Sequence, residues 1–167
     1  MQRQSTLEII RRKILSPEEL THELARWRFF DHKIVFTNGC FDLLHLGHID
    51  YLCKAADEGD VLIVGLNTDS SVSRLKGKGR PINNQEHRSM VLAALHMVTA
   101  VVLFDEPTPL ELIRLVQPDI LVKGGDYRPE EIVGYDIVMA KKGEVKILSF
   151  LEGYSTTAIE QKIRSQN

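Results

Sequence analysis

Short apolar runs rich in β-branched residues alternate along most of this chain with segments whose apolar positions recur at helical spacing. From Lys33 onward, the runs Ile34 to Thr37, Val61 to Leu66, Ala100 to Phe104, Ile120 to Val122 and Val145 to Phe150 predict strands. Helices are predicted between and after them, over about Leu46 to Glu58, Gln85 to Leu95, Pro109 to Val116, Gly134 to Lys141 and Thr156 to Arg164. Several strand runs are continuous rather than alternating, as expected when helices cover both faces of a parallel sheet. The pattern therefore predicts an α/β fold with a doubly wound parallel sheet, in which ligands gather beyond the carboxyl ends of the strands.

Residues 1 to 32 read differently, as two short helices preceding the main domain of residues 33 to 167. Ser16-Pro17-Glu18-Glu19 marks the second start, with serine as cap, proline in the first helical position and a glutamate three residues after the cap. Leu20, Leu24, Trp27 and Phe30 follow at helical spacing and are expected to pack on the main domain. Thr108-Pro109-Leu110-Glu111 carries the same kind of start signal.

At 167 residues and 43% hydrophobic content, the chain is the size of one ordinary domain with a buried core. A net charge of −2 lacks the dominant basic surface expected of a nucleic-acid binder. Cys40 and Cys53 form no C-x-x-C pattern, so reduced thiols are expected. The segment Met1-Gln2-Arg3-Gln4-Ser5 has no apolar signal region, and no run approaches the ~20 apolar residues of a membrane span. A soluble cytoplasmic protein is expected. His22, His32, His87 and His96 are scattered without zinc spacing, and Asp105-Glu106 reads as a solvated turn, so no side-chain metal site is expected.

The chemistry concentrates where the first predicted strand turns into a helix. Asn38-Gly39-Cys40-Phe41-Asp42-Leu43-Leu44-His45-Leu46-Gly47-His48 places two imidazoles at a helix start. Unpaired N–H groups and the positive end of the helix dipole suit a bound phosphate there. In nucleotidyl transfer, donors aimed at the α-phosphate oxygens lower the barrier, and His45 and His48 are placed to supply them. Further along, Arg74-Leu75-Lys76-Gly77-Lys78-Gly79-Arg80 holds four cations and two glycines, which suits a mobile loop closing on a triphosphate. Asn84 can cap the helix that Glu86-His87-Arg88 opens. Lys123-Gly124-Gly125-Asp126-Tyr127 lets backbone approach a ligand between two opposite charges. In Glu152-Gly153-Tyr154-Ser155-Thr156-Thr157, Ser155 or Thr156 can cap the last helix, and the same hydroxyl-rich start can bind an anion.

Together these blocks resemble the nucleotidyltransferase superfamily of cytidylyltransferases, phosphopantetheine adenylyltransferase and heptose-phosphate adenylyltransferase, over roughly residues 33 to 165. The resemblance implies a Rossmann-like fold that binds a nucleoside triphosphate with Mg²⁺. It implies catalytic roles for His45, His48 and Lys76, with Lys76 on the α-phosphate. Nucleotide contacts are implied for Asn38, Gly39, Cys40, Phe41, Gly47, Arg88, Lys123 and Gly124, and β- and γ-phosphate contacts for Ser155, Thr156 and Thr157. Acceptor contacts are implied for Asp42, Asn67, Arg80, Gly125, Asp126 and Tyr127. No serine, cysteine or lysine has the neighbours of a covalent nucleophile, so direct in-line attack by an acceptor phosphate is expected.

Departures choose among the relatives. Cytidylyltransferases carry Arg-Thr where this chain has Phe150-Leu151, and Arg-Tyr-Val-Asp where it has His96-Met97-Val98-Thr99. The N-G-C-F-D, L-K-G-x-x-R-P, V-K-G-G-D and G-x-S-T-T blocks instead resemble the heptose 1-phosphate adenylyltransferases, although Tyr127 stands where tryptophan is common. That family implies transfer of AMP from ATP to a sugar 1-phosphate for a surface glycan, by an enzyme that forms a homo-oligomer and is often fused to a sugar kinase; with no room for the kinase here, a stand-alone enzyme is expected. The alternatives are a glycerol-3-phosphate-type cytidylyltransferase, an FMN adenylyltransferase and a nucleotide-binding protein without turnover.

Overall fold

A computed structural model describes residues 4–166; the first three residues of the expected helical extension, and Asn167, lie outside it. Six parallel strands form one sheet in the order β1-β4-β3-β2-β5-β6. These are β1 (Ile14–Leu15), β2 (Ile34–Gly39), β3 (Val61–Asn67), β4 (Ala100–Phe104), β5 (Ile120–Gly124) and β6 (Glu144–Leu148). The helices are α1 (Thr6–Arg11), α2 (Pro17–Phe29), α3 (Leu46–Ala56), α4 (Asp69–Lys76), α5 (Gln85–Ala94), α6 (Leu110–Val116), α7 (Tyr135–Ala140) and α8 (Thr156–Arg164). The Rossmann-like doubly wound fold expected from the pattern is the one observed.

The continuous apolar runs are explained by burial on both faces. Within β2, Ile34 and Phe36 join Leu20, Leu24, Trp27, Ile63, Val102 and Leu121 on one side of the sheet. Val35 faces the other way, into a core with Leu52, Leu62, Val64, Leu92, Val101 and Val122. Successive side chains alternate between the two layers, so each inner strand must be apolar at nearly every position, whereas the edge strand β6 carries Glu144 and Lys146 and is only partly buried. Each fully buried leucine or phenylalanine contributes roughly 1.5–3 kcal/mol.

Several local expectations are corrected. Phe30 is 62% exposed, because α2 ends at Phe29 and the following residue leaves the buried stripe of Leu20, Leu24 and Trp27. Two-residue β1 pairs with Val101 and Val102, which ties the amino-terminal segment into the sheet; so short a strand carries no pattern. Arg74 and Lys76 belong to the last turn of α4 rather than to a loop, and Thr68 caps that helix through Ser71 N. Pro109 stands before α6 with no side-chain cap, so Thr108 does not play the capping part its position suggested. Ser5, Ser16 and Asn84 do cap α1, α2 and α5.

Strand order reverses beside β2, and this positions the site. β3 and β4 lie to one side of β2, β5 and β6 to the other. The β2–β3 register runs to Gly39 opposite Leu66, and β5–β6 runs to Gly124 opposite Leu148. Between β2 and β5, register extends only over Val35–Ile120 and Phe36–Leu121. The two central strands therefore part near their carboxyl ends and leave a crevice at the switch point.

Candidate active site

β2 delivers Asn38 and Gly39 to the rim of this crevice, and Phe41 then turns the chain with a φ of 44°. The left-handed region costs a non-glycine residue roughly 1–2 kcal/mol. Burial of the Phe41 ring compensates, and the ring lies so close that a Cβ on Gly39 would come within 2.9 Å of it. Glycine is required there for this packing. His45 then occupies the N-cap of α3 without making a side-chain cap bond. The first turn keeps its positive end uncovered by any capping side chain.

The rings of His45 and His48 stack with centroids 3.8 Å apart and planes at 25°. Gly47 permits this: a Cβ there would sit 3.1 Å from the His45 ring and 3.2 Å from Tyr154 Cβ. Both Nδ1 atoms are buried without a hydrogen-bond partner among the described residues. Burial, and then the charges of His45 and Lys76, pull the His48 pKa down to about 4. Burial also lowers His45. Two rings side by side with buried, partnerless Nδ1 atoms are a costly arrangement for a structural role and a useful one for receiving an anion.

Two cavities meet at this pair. A cleft of about 460 Å³ is bordered by His48, Asn38, Gly39 and Phe41 on one bank and by Lys123, Gly124, Gly125, Asp126 and Tyr127 on the other. Lys123 Nζ reaches across to donate to Asn38 Oδ1 at 3.3 Å, and burial depresses its pKa. Gly125 has a φ of 116°, and a Cβ on Gly124 would collide with the ring of Phe150 and lie 3.1 Å from Tyr51. A smaller cavity of about 230 Å³ lies beyond His45, against Tyr154, Ser155 and Lys162. Ser155 caps α8 by accepting from Ala158 N, and Thr156 and Thr157 open that helix. Lys76 makes no ion pair among the described residues, yet its charge is felt by His48 and Cys40. His48, Lys123, Gly124 and Gly125 thus line the larger cavity, and His45 and Ser155 the smaller one.

The cytidylyltransferase-like family matches residues 36–162. The chain belongs to this family of nucleotidyltransferases. It is similar to the bifunctional protein HldE of Wolinella succinogenes, 57% identical over 152 residues that make up 91% of this chain and 31% of that protein. The bifunctional protein HldE of Nitratiruptor sp. is 60% identical over 133 residues, 80% of this chain and 28% of that one. The chain spans about a third of the length of these curated relatives. Among solved structures, a lipopolysaccharide core biosynthesis protein from Thermoplasma volcanium superposes with a TM-score of 0.58 at 30% identity, covering 74% of this chain and 99% of its own.

Four of the residues expected to contact ligands are bonded within the protein. The Asp42 side chain is fully buried and accepts from Arg80 Nη1 at 2.8 Å, Ile82 N at 2.8 Å and Asn83 N at 3.0 Å. Arg80 also pairs with Glu160 of α8. Arg88 is 2% exposed; it donates to the carbonyls of Asn83, Cys40 and Asn67 and to Asp69 Oδ1, so its guanidinium holds the strand ends and loop together. Buried Asn67 bonds Ser71 Oγ at 3.0 Å. Asp42, Asn67, Arg80 and Arg88 thereby have partners inside the protein, and burial that raises the Cys40 pKa keeps that thiol protonated. Tyr51 and Phe150 in the larger cleft, and Tyr154 and Lys162 in the smaller cavity, were not expected from sequence. Tyr51 lies three residues after His48 on one helix, a spacing that shares a face and could have pointed to it.

No group of three or more His, Cys, Asp or Glu suited to a metal ion occurs among the described residues. The Asp105 carboxylate instead accepts from the Ser70 and Thr68 hydroxyls and pairs with Arg74, contacts that hold its pKa at about 2. No helix among the described residues is long and apolar enough to cross a membrane.

Proposed function

We propose that the chain transfers AMP from Mg²⁺–ATP to D-glycero-β-D-manno-heptose 1-phosphate, giving ADP-heptose and pyrophosphate for lipopolysaccharide core or another surface glycan. The observation that carries this reading is the stacked, partnerless His45–His48 pair between two cavities at the switch point. The sugar acceptor is supported by the similarity to HldE proteins and to a lipopolysaccharide core biosynthesis protein. Mg²⁺ enters as part of the nucleotide substrate, held chiefly by phosphate oxygens and water, as its chemistry favours.

In this reading an acceptor phosphate oxygen attacks the α-phosphorus in line. The new P–O bond forms as the bond to the β-phosphate oxygen breaks, and the electron pair leaves with pyrophosphate. The acceptor is already anionic, so no strong general base is required. His45, His48 and Lys76 donate to the charge that grows on the α-phosphate, and donors fixed in advance are worth most there. Ser155, Thr156, Thr157 and the start of α8 bind the β- and γ-phosphates. Asn38, Gly39, Lys123 and Gly124 line the nucleotide side, while Gly125, Asp126 and Tyr127 receive the acceptor. The catalytic unit is residues 33–167, with 1–32 as an extension; the enzyme works in the cytoplasm as a homo-oligomer, and binds neither nucleic acid nor membrane.

The test is pyrophosphate release with Mg²⁺, offering ATP or CTP against heptose 1-phosphate, glycerol 3-phosphate and FMN. Release only with ATP and heptose 1-phosphate is expected. Preference for CTP or for another acceptor would overturn the substrate assignment, and ATP binding without release from any pair would overturn the enzyme. Sedimentation as a monomer would overturn the oligomer.

A further inference from the structure

The floor of the crevice is closed by one phenol. β2 and β5 keep backbone register only as far as Phe36 and Leu121. The next residue on each strand, Thr37 and Val122, is instead bridged by the side chain of Tyr51 from α3. Thr37 Oγ1 and Tyr51 Oη lie 2.6 Å apart, and Tyr51 Oη donates to the Val122 carbonyl at 3.3 Å. A phenol has one proton, so both contacts are satisfied only if Thr37 donates to Tyr51 and Tyr51 donates to Val122. Thr37 is fully buried, Tyr51 nearly so, and burial raises the phenol to a pKa of about 12, which keeps its proton in place at any working pH. One residue further out, Lys123 and Asn38 make the second link across the same gap.

The strands are also anchored on their outer sides. β2 follows β3 to Gly39, and β5 follows β6 to Gly124. The facing edges are therefore spaced by side chains where a ladder would otherwise continue. The Tyr51 ring completes the arrangement, lying under Gly124 and 6.0 Å from the Phe150 ring.

We propose that Tyr51 is a positioning residue whose hydroxyl, with Thr37, sets the width of the crevice and so the placing of Asn38–Gly39 against Lys123–Gly124. The proposal deepens the nucleotidyl-transfer reading of this crevice and rests on it for its kinetic consequence. Tyr51→Phe keeps the ring and removes the bridge. Thr37→Val removes the same bridge from the other strand, and Thr37→Ser keeps its oxygen.

Two measurements test it on the full chain. In the ligand-free protein, amide hydrogen exchange at residues 37–39 and 122–125 should quicken by about tenfold in Tyr51→Phe and Thr37→Val, with β3 and β4 unchanged, because one buried hydrogen bond is lost locally. In pyrophosphate release, KM should rise by about tenfold with kcat falling less, while Thr37→Ser stays near the unsubstituted protein. Exchange and KM within twofold of that protein in both bridge-removing variants would overturn the proposal. So would a lowered melting temperature with unaltered kinetics, or a Thr37→Ser as impaired as Thr37→Val. If the unsubstituted protein releases no pyrophosphate, the functional reading fails, whereas the exchange pattern still decides the spacing.

Discussion

Two polar clusters lie a few residues apart in sequence and differ in how far the protein satisfies them. Around Asp42, Arg80 and Arg88, the buried charges find partners within the chain, and Arg88 alone makes four hydrogen bonds. Around His45 and His48, two buried nitrogens have none, and Lys76 has no ion pair among the described residues. Both clusters lie within the range that matches the cytidylyltransferase-like family, yet the bonding separates them. A saturated group holds backbone in place, whereas an unsaturated one is left for a ligand. The separation gives opposite expectations for stability and for turnover.

The largest effect should come from the saturated side. Arg88→Ala would leave three carbonyls and the part-exposed Asp69 carboxylate without their donor, and each buried acceptor left unsatisfied costs about 1–3 kcal/mol. The denaturant midpoint should fall accordingly, and activity should fail through unfolding or disordered loops. A variant of ordinary stability but weakened nucleotide affinity would return Arg88 to the ligand-facing class.

On the other side, His45→Ala and His48→Ala should each reduce turnover by about a hundredfold or more, as loss of a fixed donor does. Their stability should hold or improve, since an unsatisfied buried group is removed. Near-normal turnover in both would break the comparison and the mechanism with it. Lys76→Ala, at the exposed end of α4, should lose about tenfold in turnover with an unchanged melting temperature, on the scale of one charge-assisted hydrogen bond. A fall in melting temperature with normal turnover would make Lys76 a brace of the helix end.

How much of this was legible in the sequence follows from the same distinction. The four inner strands and the histidine turn announce themselves, because burial on both faces demands apolar runs and the H-x-G-H block sits where strand gives way to helix. β1 was not legible, since two residues, Ile14 and Leu15, set no period. α4 was hidden behind the glycines and cations that follow it. Within the site, residue type told which side chains could meet a phosphate, but a carboxylate such as Asp42 looks the same in sequence whether it meets a ligand or the amides of Ile82 and Asn83. Tyr51 reads as one more apolar position of an amphipathic helix until its hydroxyl is seen between two parting strands.

Titration offers the smallest and most selective measurement of the unsatisfied cluster. His48 is held near a pKa of about 4 in the fold by burial and by the charges of His45 and Lys76, against an ordinary value near 6.5. As pH falls below about 6.5, the unfolded chain takes up this proton before the folded one does, so stability declines from there to about 4 and then levels off for this group. The urea midpoint of the unsubstituted protein should therefore drop more between pH 7 and pH 5 than that of His48→Ala, with other groups cancelling in the difference. Saturating nucleotide should shrink the gap, because negative charge beside the rings favours the imidazolium and raises its pKa. Equal pH slopes in the two proteins would mean that His48 is satisfied in solution, and would place it with Asp42 and Arg88 among the braces.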